Sequence, residues 1–400
     1  MRVLAGFGAA LVLAATQFVS AAAPATARTL LAVSSSTSTR TLLHVDARTL
    51  MPVDDRSVTL EPTSGPLLRS PDKSLLAVAT GGTLNFFDTV QMVKTGALGV
   101  PSVSQLSPVA WPVMQRLFVL GFGAAKTEVL IVDPVSQTLV TRKPLPEGNA
   151  SVVALPNGIV YLAWPYNGIF PARVAVVGLD GAMRSVTVGR ISAGIHWHRV
   201  RGVQVGDISQ PGLTADTSGT TAYLVGAKNL IAEIDLASLA VTYHALVNAS
   251  TRSLARVEKA LNGPTRYARC LGNGQLAISG TNAKITVGRN KSVKETWTPV
   301  GVAVVDTRTW HARMIDSAAG GFVVADNVLV VPTAHAVKAY EADGTLRFSR
   351  TIDDNIGYAV AFGGYAYVWG DHDATILDLE SGAVVAVVPN PHLYVIGADD

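Results

Sequence analysis

Eight copies of one short pattern run along this sequence and limit the folds open to it. In each copy an apolar run leads to an aspartate at a turn, and a second apolar run follows after a few small or polar residues. The eight aspartates are Asp46, Asp88, Asp133, Asp180, Asp235, Asp306, Asp343 and Asp378. A carboxylate this short accepts backbone N–H groups within a tight turn, so we interpret these residues as scaffold and not as catalytic groups.

The copies have the composition of strands and turns. A run rich in Val, Leu, Tyr and Phe stands just upstream of most of them, as at residues 75–79, 160–163 and 328–331, bounded by Gly, Pro, Asn, Asp or Ser. This pattern of short apolar runs bounded by turn residues is typical of strands and not of helices. A unit of about 45 residues with four antiparallel strands is a β-propeller blade. The sequence therefore predicts an all-β fold, an eight-bladed β-propeller, with seven blades as the alternative.

The two ends of the repeat region predict how the ring closes. The first unit begins at residues 30–33, where a second strand is expected, and it lacks an innermost strand of its own. One spare apolar strand, at 392–396, follows the eighth unit. Closure removes two unpaired strand edges, so we expect the last strand to complete the first blade.

Four segments carry a resemblance to a known group of propellers. They are SPDKSLLAV at 70–78, TADTSGTTAYLV at 214–225, VVDTRT at 304–309 and DLESG at 378–382. Their turns and strands resemble the YVTN and quinoprotein amine dehydrogenase β-chain-like superfamily, although no complete Tyr-Val-Thr-Asn string is present. The resemblance implies the propeller fold. It leaves function open, because the group includes enzyme subunits and secreted proteins without known chemistry.

The N-terminus predicts export. Residues 1–27 combine a short basic start, an apolar run and an Ala-Thr-Ala end, which is the pattern of a cleaved signal peptide. We therefore expect a secreted or periplasmic protein in which residues 28–400 form a single propeller domain, with a long loop and short helix (251–261) inserted at about 247–267. No later segment is apolar for long enough to predict a membrane span.

Composition and motifs exclude several functions. The 32 basic and 29 acidic residues give a net charge of +3. Because these charges nearly cancel, no nucleic-acid partner is predicted. The single cysteine, Cys270, excludes a cysteine-rich metal site and is interpreted as a semi-buried thiol. The sequence contains no G-x-S-x-G, no H-E-x-x-H and no phosphate loop.

The long predicted loops lie on one face of the predicted propeller. Connections between the second and third strands of a blade, and those between blades, emerge together around the channel mouth. The long predicted loops, at 165–172, 190–212, 247–267, 280–299 and 370–373, belong to these two classes. This face is the candidate functional surface, because long loops concentrate binding residues.

Candidate ligand-binding residues follow from those loops. They are His196, Trp197, His198, Arg201, Lys291, Trp297 and His335. In an extended segment His196 and His198 point the same way, so both imidazoles reach one metal or one anion. The alternative is a polar loop that flanks a packed Trp197. The basic residues between 284 and 297, with Arg201, form a rim for an acidic ligand or, alternatively, a solvated loop.

A second candidate metal site lies in the turn of the last blade. Asp371, His372 and Asp373 offer two carboxylates and an imidazole to a divalent cation, the alternative being solvated turn residues. No other cofactor is predicted.

Two functional hypotheses remain open. The first is a non-catalytic binding or scaffold protein whose long-loop face takes a protein, a glycan or a small molecule. The alternative is a propeller oxidoreductase subunit or a lactonase-like hydrolase with a metal at the channel mouth. Convergence of His196, His198, His335 and Asp371 on one point is the arrangement that favours the enzyme.

Overall fold

The computed structural model describes residues 28–35, 39–123, 127–145, 149–227, 230–246, 264–325, 327–389 and 391–398. Within these residues every regular element is a β-strand. The 34 described strands form eight antiparallel sheets, which are the blades of a β-propeller. The predicted all-β, eight-bladed architecture is confirmed, and the seven-bladed alternative is wrong.

The blades are numbered in chain order. Blade 1 holds β1 (Thr29–Ser35), β2 (Arg40–Asp46), β3 (Pro52–Leu60) and β34 (Leu393–Ala398). Blade 2 holds β4 (Leu67–Arg69), β5 (Leu75–Thr80), β6 (Thr83–Asp88) and β7 (Val93–Gly99). Blade 3 holds β8 (Gln105–Val113), β9 (Arg116–Phe122), β10 (Thr127–Asp133) and β11 (Thr138–Pro144). Blade 4 holds β12 (Asn149–Leu155), β13 (Gly158–Trp164), β14 (Gly168–Gly178), β15 (Met183–Val200) and β16 (Val203–Ser209).

The second half of the ring follows the same plan. Blade 5 holds β17 (Gly212–Ala215), β18 (Thr221–Val225), β19 (Leu230–Asp235) and β20 (Val241–Ala245). Blade 6 holds β21 (Pro264–Gly272), β22 (Gln275–Val287), β23 (Val293–Pro299), β24 (Val302–Asp306) and β25 (His311–Asp316). Blade 7 holds β26 (Val323–Ala325), β27 (Val328–Pro332), β28 (Ala336–Tyr340) and β29 (Leu346–Thr351). Blade 8 holds β30 (Ile356–Phe362), β31 (Tyr365–Gly370), β32 (Asp373–Asp378) and β33 (Val384–Pro389).

The hydrophobic core lies between neighbouring blades. Along β13, Ile159 and Tyr161 pack towards blade 3, while Val160 and Leu162 pack towards blade 5. This alternation is the period of a strand buried on both faces. Eight such clusters join consecutive blades around the ring, so each blade is stabilised by two neighbours.

The ring closes as the sequence predicts. β34 pairs antiparallel with β1, which gives the sheet order β3-β2-β1-β34. Leu30, Ala32 and Val395 pack against blade 8, whereas Leu31 and Val33 pack against blade 2. The last strand thus completes the sheet that joins both ends of the chain.

The repeated aspartates form turns between the third and fourth strands of all eight blades. Asp88, for example, accepts the N–H groups of Val90 at 2.8 Å and of Gln91 at 2.7 Å. The other seven bond in the same way, to a backbone N–H two residues further on. Their structural interpretation is confirmed.

Four further predictions concern the N-terminus, the inserted helix, membrane spans and the cysteine. The predicted signal peptide (1–27) and the predicted helix (251–261) lie outside the described residues, while 264–267 begins strand β21. The described part of the chain contains no helix that is long and apolar enough to span a membrane. Cys270 is half-buried on β21, and burial raises the pKa of its thiol.

Candidate functional site

Two long antiparallel hairpins rise from one face of the propeller. The blade-4 hairpin (residues 190–209) consists of the end of β15 and of β16, and it leads into blade 5. The blade-6 hairpin (281–299) consists of the end of β22 and of β23, between the second and third strands of its blade. Both connections belong to the classes that emerge at the same side of a propeller. We call this side the hairpin face.

These hairpins correct the sequence prediction. Residues 190–212 and 280–299 are expected to be loops, but most of them lie in strands, and 168–172 begins β14. Apolar residues alternate along both hairpins, as at Ala283, Ile285 and Val287, which is the period of a strand with one covered side. The many charged residues on the exposed side conceal that period in the sequence.

The two hairpins pack against each other. They share a small apolar cluster in which three valines of one hairpin meet an isoleucine and a valine of the other. Its members are Val200, Val203, Val205, Ile285 and Val287. At the tip, Nη1 of Arg201 donates a hydrogen bond to the carbonyl oxygen of Val287 at 2.9 Å. Arg201 therefore joins the two hairpins through a backbone carbonyl.

The base of the blade-4 hairpin is also fixed to blade 6. The N–H of Gln210 donates to the carbonyl oxygen of Pro264 at 2.9 Å, and the N–H of Arg266 donates to that of Gln210 at 2.8 Å. The Arg266 side chain is buried beside Asn282, and this burial lowers the pKa of its guanidinium to about 10. Contacts at base and tip hold the hairpin in one position.

A two-residue turn sets the register of the blade-4 hairpin. Arg201 and Gly202 both have positive φ angles, 51° and 82°, as in the type I′ turn that favours tight hairpins. His196 consequently pairs with Asp207, and His198 pairs with Val205. Because alternate residues share one side of a strand, His196, His198 and Asp207 lie on the same side of the hairpin.

These three side chains form a compact group of potential ligands. One nitrogen of each imidazole and one carboxylate oxygen of Asp207 all lie within 4.8 Å of one another. The two imidazole rings stack with centroids 5.6 Å apart, and Nδ1 of His198 is 3.6 Å from Oδ2 of Asp207. His196 is exposed, while His198 and Asp207 are half-buried. Among the described residues, no other group of three His, Cys, Asp or Glu side chains has its ligand atoms close enough together to bind one metal ion.

Asp207 is the member of the group that the sequence prediction omits. The signal for it is the Arg-Gly pair at 201–202, flanked by valines at 200 and 203. A two-residue hairpin turn at that pair places residue 207 opposite residue 196. Treating 190–212 as a loop hides this pairing.

The tryptophans of the hairpin face remain accessible. Trp197 pairs with Gly206 on the other side of the blade-4 hairpin, and a Cβ at position 206 would lie 3.0 Å from the indole ring. Glycine thus leaves room for the ring against the strand. Trp197 is 38% exposed and Trp297 of the blade-6 hairpin is 47% exposed. Lys291 is exposed in the turn of that second hairpin.

The remaining predicted site residues lie in other blades. His335 is exposed between the second and third strands of blade 7, and 371–373 occupies the matching position in blade 8. Within the described residues, neither His335 nor Asp371, His372 or Asp373 belongs to the three-residue group. The face therefore carries these residues on separate blades.

Asp354 organises the turn at 371–373. Its Oδ2 accepts the N–H of His372 at 2.6 Å and that of Asp373 at 3.2 Å, and its Oδ1 lies 3.2 Å from Nδ1 of His372. These hydrogen bonds hold the pKa of Asp354 well below its usual range. The same contact raises the pKa of His372. Metal binding by Asp371, His372 and Asp373 stays a prediction.

The Asp354 contact has a measurable consequence for His372. We expect the imidazole to titrate at a higher pH than a free histidine, because the neighbouring carboxylate stabilises its charged form. Asp354→Asn should lower the pKa of His372 towards its ordinary value, because Asp354 is the main cause of the shift and Asp371 and Asp373 contribute less. Side-chain NMR titration of both proteins measures the change, with His335→Gln as a control that should leave the His372 curve unaltered. Identical curves for His372 with and without Asp354 would contradict the assignment.

Comparison with known proteins supports the fold and goes no further. No protein-family model matches the chain, and no curated protein matches it. Among solved structures, it is similar to the dihydro-heme d1 dehydrogenase NirN in complex with DHE, with a TM-score of 0.58 and 12% identity over 96% of this chain and 77% of that one. It is also similar to AztD from Citrobacter koseri, with a TM-score of 0.53 and 13% identity over 93% of this chain and 96% of that one. At such identities the likeness shows the β-propeller alone.

Proposed function

We propose that this protein is a secreted, non-catalytic binding protein that uses the hairpin face to hold its ligand. Secretion rests on the predicted signal peptide at 1–27, and the turns at 70–78 and 214–225 support membership of the YVTN and quinoprotein amine dehydrogenase-like superfamily. In those turns Asp72 accepts the N–H of Ser74 at 3.0 Å, and Asp216 accepts that of Thr220 at 2.8 Å.

The packing of the two hairpins carries the proposal. Ordering a long hairpin that projects into solvent costs conformational entropy. Here each hairpin covers one side of the other through a shared apolar cluster, which offsets that cost. The result is a rigid platform with accessible aromatic side chains, Trp197 and Trp297. Rigid aromatic residues of this kind dominate the energy of binding surfaces.

An enzymatic role is the second candidate. Three protein ligands with an open position are also the arrangement of catalytic metal sites, and His196, His198 and Asp207 supply three. Lactone hydrolysis or electron transfer that requires added metal and is lost in Asp207→Asn favours this role. A binding protein should show neither activity.

The binding role is tested with matched surface variants. One variant carries Trp197→Ala and Trp297→Ala, and the control carries Met51→Ala and Val135→Ala, which are 61% and 62% exposed at turns on the opposite face. Each purified protein is chemically cross-linked in the extracytoplasmic fraction of its host, and cross-linked peptides are mapped by mass spectrometry. We expect cross-links to concentrate on the hairpin face and to fall at least several-fold in the tryptophan variant only. Equal loss in both variants, or cross-links confined to the opposite face, overturns the proposal.

In the same preparation, cleavage of the signal peptide should leave a mature chain that begins at Arg28.

A further inference from the structure

We infer that His196, His198 and Asp207 of the blade-4 hairpin bind one divalent transition-metal cation, with Zn²⁺ as the best match. The inference rests on the proposed function, because it names the ligand class that the hairpin face takes. It adds Asp207 to the two histidines and excludes the turn at 371–373 from this site.

The ligand types indicate a cation that is intermediate between hard and soft in its ligand preference. Two imidazole nitrogens and one carboxylate oxygen are ligands that zinc accepts at about 2.0–2.2 Å. Ca²⁺ and Mg²⁺ require shells made of oxygen atoms, and this group offers one carboxylate. Imidazole also suits copper and nickel, so the same site binds those ions when they are supplied.

The spacing fits a single ion without a change of fold. Ligands about 2 Å from a tetrahedral metal lie roughly 3.3–3.5 Å apart, and the three donor atoms here are all within 4.8 Å of one another. A rotation about the side-chain bonds of His196, which is exposed, closes the remaining gap. The strand register already places the three residues on one side of the hairpin.

Two buried polar atoms are the second, independent observation. Nδ1 of His198 and Oδ1 of Asp207 are buried and have no hydrogen-bond partner. Nδ1 lies 3.6 Å from Oδ2 of the same carboxylate, which is too long for a hydrogen bond. Leaving buried polar atoms without a partner is costly, because the free energy of their lost hydration is not recovered. A cation between the imidazole and the carboxylate satisfies both groups, whereas a surface histidine would turn its nitrogens to water.

The surroundings hold the ligands in place. On the same side of the hairpin, Val200, Val203 and Val205 pack against the blade-6 hairpin. On the other side, the ring of Trp197 lies against Gly206. The hairpin that carries the three ligands is therefore held against the blade-6 hairpin on the ligand side, which restricts their positions as a preorganised metal site requires. The exposure of His196 leaves the ion accessible to a further ligand.

Zinc titration of the full-length secreted chain tests the inference. Protein stripped with a chelator is titrated with Zn²⁺ by calorimetry, alone and in competition with a chromogenic chelator. We expect one tightly bound ion per chain and no displacement by millimolar Ca²⁺ or Mg²⁺. Asp207→Asn removes a direct ligand and should weaken binding by more than the roughly 10–100-fold that follows loss of an outer-shell partner, and His196→Gln with His198→Gln should abolish it. His335→Gln and His372→Gln are the matched controls, because both histidines lie on the same face outside the group.

Cobalt substitution identifies the ligands directly. Co²⁺ at this site should give visible absorption bands of a four-coordinate ion with nitrogen and oxygen ligands, and the bands should shift in Asp207→Asn. Unchanged zinc affinity in the double histidine variant, or loss in His372→Gln, overturns the inference. If zinc does not bind while the tryptophan variant still loses its cross-links, the metal site is wrong and the proposed function stands. If zinc binds and the tryptophan variant keeps its cross-links, the metal site is correct and the proposed binding role of the tryptophans is wrong.

Discussion

Removal of residues 391–400 is expected to abolish cooperative folding. β34 is the innermost strand of blade 1, and its loss exposes the backbone edge of β1 along Leu30–Ser34. It also removes Val395 and Ala398, which are 2% and 4% exposed, from the cluster between blades 1 and 8. An open ring has two free strand edges, and such edges promote aggregation. Circular dichroism melts and size-exclusion chromatography should show a loss of the cooperative transition and a shift to large species.

Two controls separate ring closure from a simple effect of shortening the chain. Removal of residues 399–400 leaves β34 intact and should keep the melting temperature within a few degrees of wild type. A synthetic peptide of residues 391–398, added to the truncated protein, should restore a cooperative transition because it can pair with β1. A truncated protein that melts cooperatively near the wild-type temperature without the peptide would show that β34 does not hold the ring.

The parts of the fold that the sequence predicted are those with local signals. Each aspartate turn is formed within a few residues, and the runs at 75–79 and 160–163 are apolar on both sides because blades cover both faces of each sheet. Ring closure was predictable because a missing strand at one end matched a spare strand at the other. The turns and strands needed only the pattern of one blade, and ring closure needed that pattern compared at the two ends of the chain.

The hairpin face was less accessible to sequence reasoning because its contacts are non-local. Ile285 and Val287 are buried by a hairpin that belongs to blade 4, so their partners are about 80 residues away in the sequence. Charged residues between them suggest a solvated loop. The direction of His196 and His198 followed from strand periodicity, but Asp207 required the exact turn at Arg201 and Gly202.

Asp316→Ala is expected to cost about 2–4 kcal/mol of unfolding free energy at neutral pH, less than for a fully buried pair because the Lys338 side chain is 33% exposed. The carboxylate ends β25 in blade 6, where its side chain is 3% exposed, and Oδ2 accepts a hydrogen bond from Nζ of Lys338 in blade 7 at 2.7 Å. Oδ1 also accepts the N–H of Ala318 at 2.8 Å. Alanine removes all of these bonds and leaves the ammonium without its partner between two blades. Urea denaturation of both proteins at pH 7 measures the difference.

The pH dependence of that difference distinguishes the ion pair from a loss of packing. Burial of the Asp316 carboxyl opposes ionisation, but the hydrogen bond from Lys338 and the N–H of Ala318 outweigh it and hold the pKa below its usual value. A lowered pKa stabilises the fold above the unfolded-state value of about 3.9, and that contribution is lost as the pH falls through the folded-state value. The gap between wild type and Asp316→Ala should therefore be constant from pH 7 to about pH 5 and narrow below pH 4. Lys338→Met, alone and with Asp316→Ala, completes a double-mutant cycle, and a coupling energy near zero at pH 7 would mean that the pair does not join the blades.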